Sequence, residues 1–322
     1  MVSPRSGDDR PRRPVLLAVA GDSASGKTTL TRGLVGALGG DGLSALCVDA
    51  YHRYDREERK ELPFTPLNPA CNYLGIMEQH LQLVAMGEPI LMPVYDHEHG
   101  TLERPVMFEP DDHVIVEGLF PLHSRRSRAC FDLSVYLDPP EDIRRAWKIK
   151  RDTCDRGYQP EQVIEDLRLR EKDSAAFIRP QRRWADIVVT FAPAAGRTRD
   201  ELSATILLRP TAPHPDFSDI FTEDTREAVH LKLARDHDGR PVDALYVHAG
   251  ASRQITRLVE MAIWTTLGID GQVPSSVGLI EPGVRSEPLA VVQLILLYHL
   301  LLAHRPSPEA LSPEQVVAGG SV

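Results

Sequence analysis

Gly21-Asp22-Ser23-Ala24-Ser25-Gly26-Lys27-Thr28 is the stretch on which the reading of this chain turns. Its spacing is G-x-x-x-x-G-K-[ST], a phosphate-binding loop with Gly21, Gly26, Lys27 and Thr28 in the diagnostic places. A loop that wraps a phosphate needs positive φ and close backbone approach, and a Cβ obstructs both. Backbone N–H groups then converge on the anion, and the positive end of the following helix adds to the field. Lys27 supplies a mobile cation for the terminal phosphates, and the Thr28 hydroxyl suits Mg²⁺. Outward from the loop, residues 14–20 (PVLLAVA) read as a buried strand and residues 29–38 have helical apolar spacing. Strand, loop and helix stand in order. The pattern predicts a nucleoside triphosphate site formed by residues 21–29, Gly21, Asp22, Ser23, Ala24, Ser25, Gly26, Lys27, Thr28 and Thr29.

Composition fits an ordinary folded enzyme. The 322 residues are 42% hydrophobic and 26% charged, which excludes the disordered and fibrous classes. A formal net charge of −9 argues against nucleic acid or an anionic membrane as the main partner. The four cysteines, Cys47, Cys71, Cys130 and Cys154, form no C-x-x-C pair and no zinc spacing, so a reduced, cytoplasmic setting is expected. Residues 1–14 are polar and Arg/Pro-rich without a signal-peptide core, and are expected to be disordered. The apolar run 291–303 is too short to span a bilayer and is interrupted by Gln293 and His299. The tail after His304 is expected to fray.

From residue 15 to residue 192 strands and helices alternate, which predicts an α/β fold of the P-loop type, a mostly parallel sheet flanked by helices. Residues 193–322 read as an α+β extension, with a hairpin across His237-Asp238-Gly239 and helices over 258–267 and 289–303. Asp49 falls at the carboxyl end of the second strand, where α/β sheets bind ligands and where a base for an acceptor hydroxyl must sit. Such a residue can also be a turn or cap. Glu117 ends the strand 113–118 and suits Mg²⁺, directly or through water; a structural cap is its plainer role. Asp152, by spacing alone, is a salt-bridge residue on a solvated helix face. Basic residues crowd two places, His52, Arg53, Arg56 and Lys60 after Asp49, and Lys148, Lys150, Arg151 and Arg156 around Asp152. Such runs usually face solvent. Beside a candidate base, they suit an acceptor that already carries a phosphate. His97 and His99 suit a turn and lack the spacing of a metal site.

Several motifs together resemble phosphoribulokinase. They are Val48 to Arg56 (VDAYHRYDR), Leu67 to Asn72 (LNPACN), Pro93 to Glu98 (PVYDHE), Val116-Glu117-Gly118-Leu119, Trp147 to Asp152 with Arg156-Gly157-Tyr158, and Ile178-Arg179-Pro180-Gln181. They occur in the family's order between about residues 15 and 192. The resemblance implies ATP- and Mg²⁺-dependent phosphorylation of the 1-hydroxyl of D-ribulose 5-phosphate. It makes Asp49 the general base and Asp152 an essential acid near Mg²⁺ and the transferring phosphoryl group. It places His52, Arg56, Lys60, Tyr95, His97, Lys148 and Arg156 around the sugar phosphate, and Arg151 at the nucleotide. The implied metal set is Thr28, Glu117 and Asp152.

Two departures stand out. Family members usually carry His after Glu-Gly-Leu, where this chain has Phe120. Light-regulated plant and cyanobacterial members carry a thiol just before the loop's Gly-Lys, where this chain has Ser25; the partner position is retained as Cys47. A uridine kinase-like nucleoside kinase and a kinase of another sugar phosphate are the alternative enzymes, and a nucleotide-binding regulatory protein is the alternative without turnover. A homo-oligomer is compatible with all of these.

Overall fold

A computed structural model describes residues 13–38, 42–194, 201–212, 220, 222–269 and 271–303. The segment 1–12, most of the stretch expected to be disordered, and the tail from 304 lie outside the described residues. The first strand, β1 (Val15–Gly21), is apolar until its terminal glycine. Val15, Leu17 and Val19 pack on one face of the sheet, Leu16, Ala18 and Ala20 on the other. A strand buried on both faces cannot alternate with polar residues, and it belongs inside a parallel sheet.

The chain continues through α1 (Lys27–Ala37), β2 (Leu43–Cys47), α2 (Leu74–Ala85), β3 (Ile90–Asp96), β4 (Thr101–Phe108) and β5 (His113–Gly118). Then come α3 (Arg125–Arg128), β6 (Leu133–Leu137), α4 (Glu141–Cys154), α5 (Pro160–Asp173) and β7 (Ile187–Pro193). The last third supplies β8 (Leu202–Leu208), β9 (Val229–Arg235), β10 (Pro241–Val247), α6 (Arg253–Leu267), the short β11 (Leu279–Glu281) and β12 (Val284–Arg285), and α7 (Glu287–Ala303). The main sheet has eight strands in the order β2-β5-β1-β6-β7-β8-β10-β9. From β2 to β7 the neighbours are parallel; from β7 onward they are antiparallel. The expected parallel sheet and the hairpin across residues 237–239 are both present. The chain reverses strand order around β1, with β5 and β2 on one side and β6 on the other. That reversal opens a crevice at the carboxyl edge, the place where such sheets bind ligands.

Three strands are absent from the sequence reading, β4 and the short β11 and β12. β4 pairs with β3 as a separate antiparallel hairpin, yet nearly all of Thr101–Phe108 is exposed. With no buried face it shows no alternation, and Pro105 further masks it.

The strands after β7 extend the same sheet, and α7 is sandwiched against α1, α6, β1, β6 and β8. Its residues are buried nearly all round, as an apolar helix must be in water. No helix among the described residues is long and apolar enough to cross a membrane. Gln293, which interrupts the apolar run, is 1% exposed. Its Oε1 accepts from the Gly278 N–H at 2.7 Å, and its Nε2 donates to the Thr29 and Leu30 carbonyls at 3.3 and 3.2 Å. Gly33 makes room for it, since a Cβ there would lie 2.0 Å from Nε2. The last helix therefore clasps the helix that follows the phosphate loop. Gln293→Leu strands the buried Gly278 N–H and should cost about 1–3 kcal/mol. The urea midpoint should fall while unfolding stays a single transition with unchanged slope; an early, separate transition would contradict a shared core.

Candidate active site

The phosphate loop joins β1 to α1 at the carboxyl edge. Gly26 has φ +96° and Ala24 φ +63°, and both wind the loop in the left-handed region. A Cβ on Gly21 would sit 2.5 Å from Ser25 Oγ and 2.9 Å from the Leu137 carbonyl, so only hydrogen fits. The buried Lys27 Nζ donates to the carbonyls of Gly21 and Asp22, each at 3.0 Å. The loop is braced from outside by groups absent from the sequence reading. Arg144 Nη1 donates to the Ser23 carbonyl at 2.9 Å and lies 3.7 Å from Asp22 Oδ1, while the Ser174 hydroxyl donates to Asp22 Oδ2. The Asp22 Oδ1 also accepts from the Ser23 N–H at 2.6 Å. Ser25 Oγ is buried without a hydrogen-bond partner.

Two carboxylates arrive beside the loop because β2 and β5 run parallel to β1. Glu117, at the end of β5, accepts from the Thr28 hydroxyl at 3.3 Å through Oε1. Its Oε2 is buried with no partner. Burial raises its pKa, Lys27 opposes that, and Asp49 adds to it. A carboxylate oxygen left orphaned next to the loop threonine is a seat for a hard cation. Among the described residues no three His, Cys, Asp or Glu side chains gather as a metal cluster. The donors therefore fit Mg²⁺, which keeps water and phosphate oxygens as its other ligands. Asp49 stands in a single turn, Val48–Ala50, just beyond β2. Its Oδ1 accepts from the Leu119 N–H at 2.6 Å, and its other oxygen has no partner among the described residues. Gly118 permits this, for a Cβ there would lie 2.8 Å from that same Oδ1.

Beyond Asp49 the neighbouring surface is cationic. Arg56 donates to the carbonyls of His97 and of Glu98 (3.1 Å), and its guanidinium lies 5.9 Å from the Tyr158 ring centre. The turn between β3 and β4 holds it there, since Gly100 at φ +80° leaves the space its side chain fills. Rings of His52, Tyr95 and His97 meet edge to face at 4.8 and 5.1 Å. His97 is pulled below its ordinary pKa by burial and by Arg156. His99, on the same turn, is exposed and pairs with Asp96. Lys60 turns away to Glu57 on the surface, at 2.7 Å, with a side chain 62% exposed. Arg59, its neighbour, turns inward instead and donates to the Tyr95 hydroxyl. Sequence spacing cannot decide which of two adjacent cations a short 3₁₀ turn sends into a pocket.

On α4 the structure corrects the plainer reading of Asp152. The residue is buried, not solvated. Lys148 Nζ lies 2.6 Å from its Oδ2, while Arg151 and Arg156 lie 2.8 and 3.5 Å from Oδ1. Burial pushes its pKa up, but the bonds from Arg151 and Lys148 outweigh that and hold it below the usual range. Arg144, Lys148 and Asp152 recur at intervals of four and so share one helix face. That spacing was the available signal for Arg144. Burial, with Arg170 nearby, lowers Lys148 to about 8 despite its partner Asp152.

A glycine-rich loop after the central strand, a loop lysine, and two carboxylates beside the loop that each keep one oxygen unpartnered among the described residues are the features of a P-loop kinase fold. The profile of the Phosphoribulokinase / Uridine kinase family matches residues 16–196. This chain belongs to that family. It is similar to phosphoribulokinase from Synechocystis sp., 39% identical over 181 residues, 56% of this chain and 54% of that protein. It is also similar to uridine kinase from Deinococcus deserti, 34% identical over 202 residues, 60% of this chain and 96% of that protein. The chain thus spans about half the length of the curated phosphoribulokinase it matches. Among solved structures, phosphoribulokinase from Rhodobacter spheroides superposes with a TM-score of 0.58 at 19% identity, over 79% of this chain and 97% of that one, which shows a common fold.

The pKa of Lys148 gives a signed expectation. Its charge is present below pH 8 and lost above it. Turnover efficiency for the acceptor should therefore decline as pH rises through about 8, and Lys148→Arg should move that decline to higher pH. An alkaline limb that does not respond to the substitution would remove Lys148 from the pocket.

Proposed function

We propose that this chain transfers the γ-phosphoryl group of ATP to the 1-hydroxyl of D-ribulose 5-phosphate, giving ribulose 1,5-bisphosphate and ADP. The observation that carries the proposal is the density of cations beyond Asp49: Arg56, Arg151 and Arg156 act on His97, Arg59 lies against Tyr95, and Lys148, Arg151 and Arg156 share Asp152. A phosphorylated acceptor needs such groups, and a nucleoside does not. In this reading the free oxygen of Asp49 takes the hydroxyl proton while the acceptor oxygen bonds to Pγ and the Pγ–O bond to ADP breaks. Lys27 and the N-terminal end of α1 stabilise the charge on the β- and γ-phosphates. Thr28 and Glu117 would hold Mg²⁺, which supplies further neutralisation of phosphate charge when bound. Asp152 fixes Lys148, Arg151 and Arg156, and of these Arg151 serves the nucleotide and the transferring group. Arg56, Lys148 and Arg156 hold the 5-phosphate, and Tyr95, His52 and His97 line the sugar.

A second reading has its own support. The uridine kinase relative is matched over nearly its whole length, and Phe120 is an apolar group where phosphoribulokinases usually carry His. Substitution of Arg56 separates the two. A charge-assisted contact is worth roughly 1.5–3 kcal/mol, so Arg56→Ala should raise the KM for ribulose 5-phosphate about ten- to a hundred-fold and leave the KM for ATP nearly unchanged. Asp49→Asn should abolish most turnover with ATP affinity intact. Unchanged acceptor kinetics in Arg56→Ala would sink the sugar-phosphate reading, and a fully active Asp49→Asn would move the base elsewhere.

A further inference from the structure

One ring in the acceptor pocket has its proton placed by its neighbours. Asn72 Nδ2 donates to the carbonyls of Pro66 and Asn68, at 3.0 and 2.9 Å. Both of its hydrogens are thereby used, so Oδ1 is the atom that faces His52. Nδ1 of His52 lies 2.9 Å from that oxygen. A carboxamide oxygen only accepts, so Nδ1 carries a hydrogen. The contact is not a loose one. The backbones of His52 and Asn72 form a bridge, flanked by Arg53 N–H to the Cys71 carbonyl at 2.9 Å and Tyr73 N–H to the Tyr51 carbonyl at 2.8 Å.

On its other side the ring meets Tyr95 edge-on, and Arg59 lies over the opposite member of that contact, 5.0 Å from the Tyr95 ring centre. The charged groups around His52 are Arg59 and Asp49, with His97 as a further titratable neighbour. Asp49 and the hydrogen bond to Asn72 favour a second proton, so Asn72 sets which nitrogen carries the hydrogen while burial and Arg59 keep the ring neutral. Burial, reinforced by Arg59, dominates and lowers His52 to about 4. Nε2 makes no hydrogen bond among the described residues, and it is not one of the fully enclosed orphan atoms. It therefore presents an accessible lone pair.

We infer that Asn72 and Arg59 are positioning residues that hold His52 as the neutral Nδ1–H tautomer, so that Nε2 accepts a hydrogen bond from a hydroxyl of the acceptor instead of lending a positive charge to its phosphate. The inference rests on the proposed sugar-phosphate reading only for the identity of the acceptor. His52 then reads hydroxyl placement, and the guanidinium and ammonium groups around it read the phosphate.

The direct test is ¹⁵N NMR of histidine-labelled protein, with His52 assigned from the resonances lost in His52→Gln. At pH 7 the expected state is a protonated Nδ1 and an unprotonated Nε2, unchanged down to about pH 5. Asn72→Asp, which puts a carboxylate on Nδ1, should raise the titration by about one unit or more. The KM for ribulose 5-phosphate in that variant should then climb as pH falls from about 6 to about 5, where the parent protein's ring is still neutral, while the KM for ATP does not follow. His52→Gln, which can still offer an acceptor oxygen, should keep the acceptor KM within about tenfold of the parent value. His52→Lys should raise it further. An imidazolium or an Nε2–H tautomer at pH 7 in the unaltered protein overturns the inference, as does a Lys variant that outperforms Gln. The spectra need no turnover. Protein that ignores ribulose 5-phosphate yet shows the Nδ1–H tautomer would remove the acceptor's identity and leave the positioning intact.

Discussion

Every functional group in this molecule is placed by one close approach. The turn from β1 into α1 passes so near β6 that a single methyl group at Gly21 would collide with Ser25 and with the Leu137 carbonyl. Only such tight backbone leaves N–H groups, instead of side chains, facing an anion at the head of a helix. Once that turn is fixed, topology does the rest. β5 and β2 lie parallel to β1, so Glu117 and Asp49 emerge on the same edge of the sheet as the loop. A second missing side chain, at Gly118, lets Asp49 bond to the Leu119 N–H. Gln293 then ties the loop's helix to the last helix of the chain, so the C-terminal third also bears on the site.

The charge distribution shows a division of labour inside an acidic protein. The whole chain carries −9, yet α4 gathers two arginines and Lys148 around one buried carboxylate. Buried ions are tolerated only when paired, and removing one partner of such a pair costs about 3–5 kcal/mol. Asp152 meets that condition with Lys148, Arg151 and Arg156 at once. Glu117 does not, since one of its oxygens has no partner. The contrast separates an acid saturated by cations from an acid with an oxygen left unpartnered.

The sequence made the loop, the central strand and the order of strands and helices legible, because each is a local pattern. Glycine spacing, continuous apolar runs and helical periodicity need no knowledge of distant residues. Asp49 and Glu117 were legible for the same reason, as carboxylates at the ends of apolar strands. Asp152 was not. A charged stripe on a helix ordinarily faces water, and only the packing of α4 reveals that Arg144, Lys148 and Asp152 face inward. Resemblance to phosphoribulokinase supplied what spacing withheld there. At Lys60 the structure shows a surface pair with Glu57, while the neighbouring Arg59 turns to Tyr95. Asn72 was legible only as the end of a family motif, with no role attached, and Ser174 not at all, because what they do lies in bonds to residues 20 and 152 positions away. β4 lacked any pattern at all, being exposed along nearly its whole length.

A kinase pocket built for a phosphorylated ketose differs from one built for a nucleoside in which acceptor releases ADP. The most direct measurement is initial-rate ADP release by the purified chain with ATP and Mg²⁺, offered ribulose 5-phosphate, unphosphorylated ribulose or uridine. If the cations beyond Asp49 hold the 5-phosphate, kcat/KM for ribulose 5-phosphate should exceed that for ribulose by about a hundredfold or more, the worth of about two charge-assisted contacts, and uridine should be a poorer acceptor still. Uridine turned over faster than ribulose 5-phosphate, or ribulose and its phosphate used equally, would contradict that reading of the pocket.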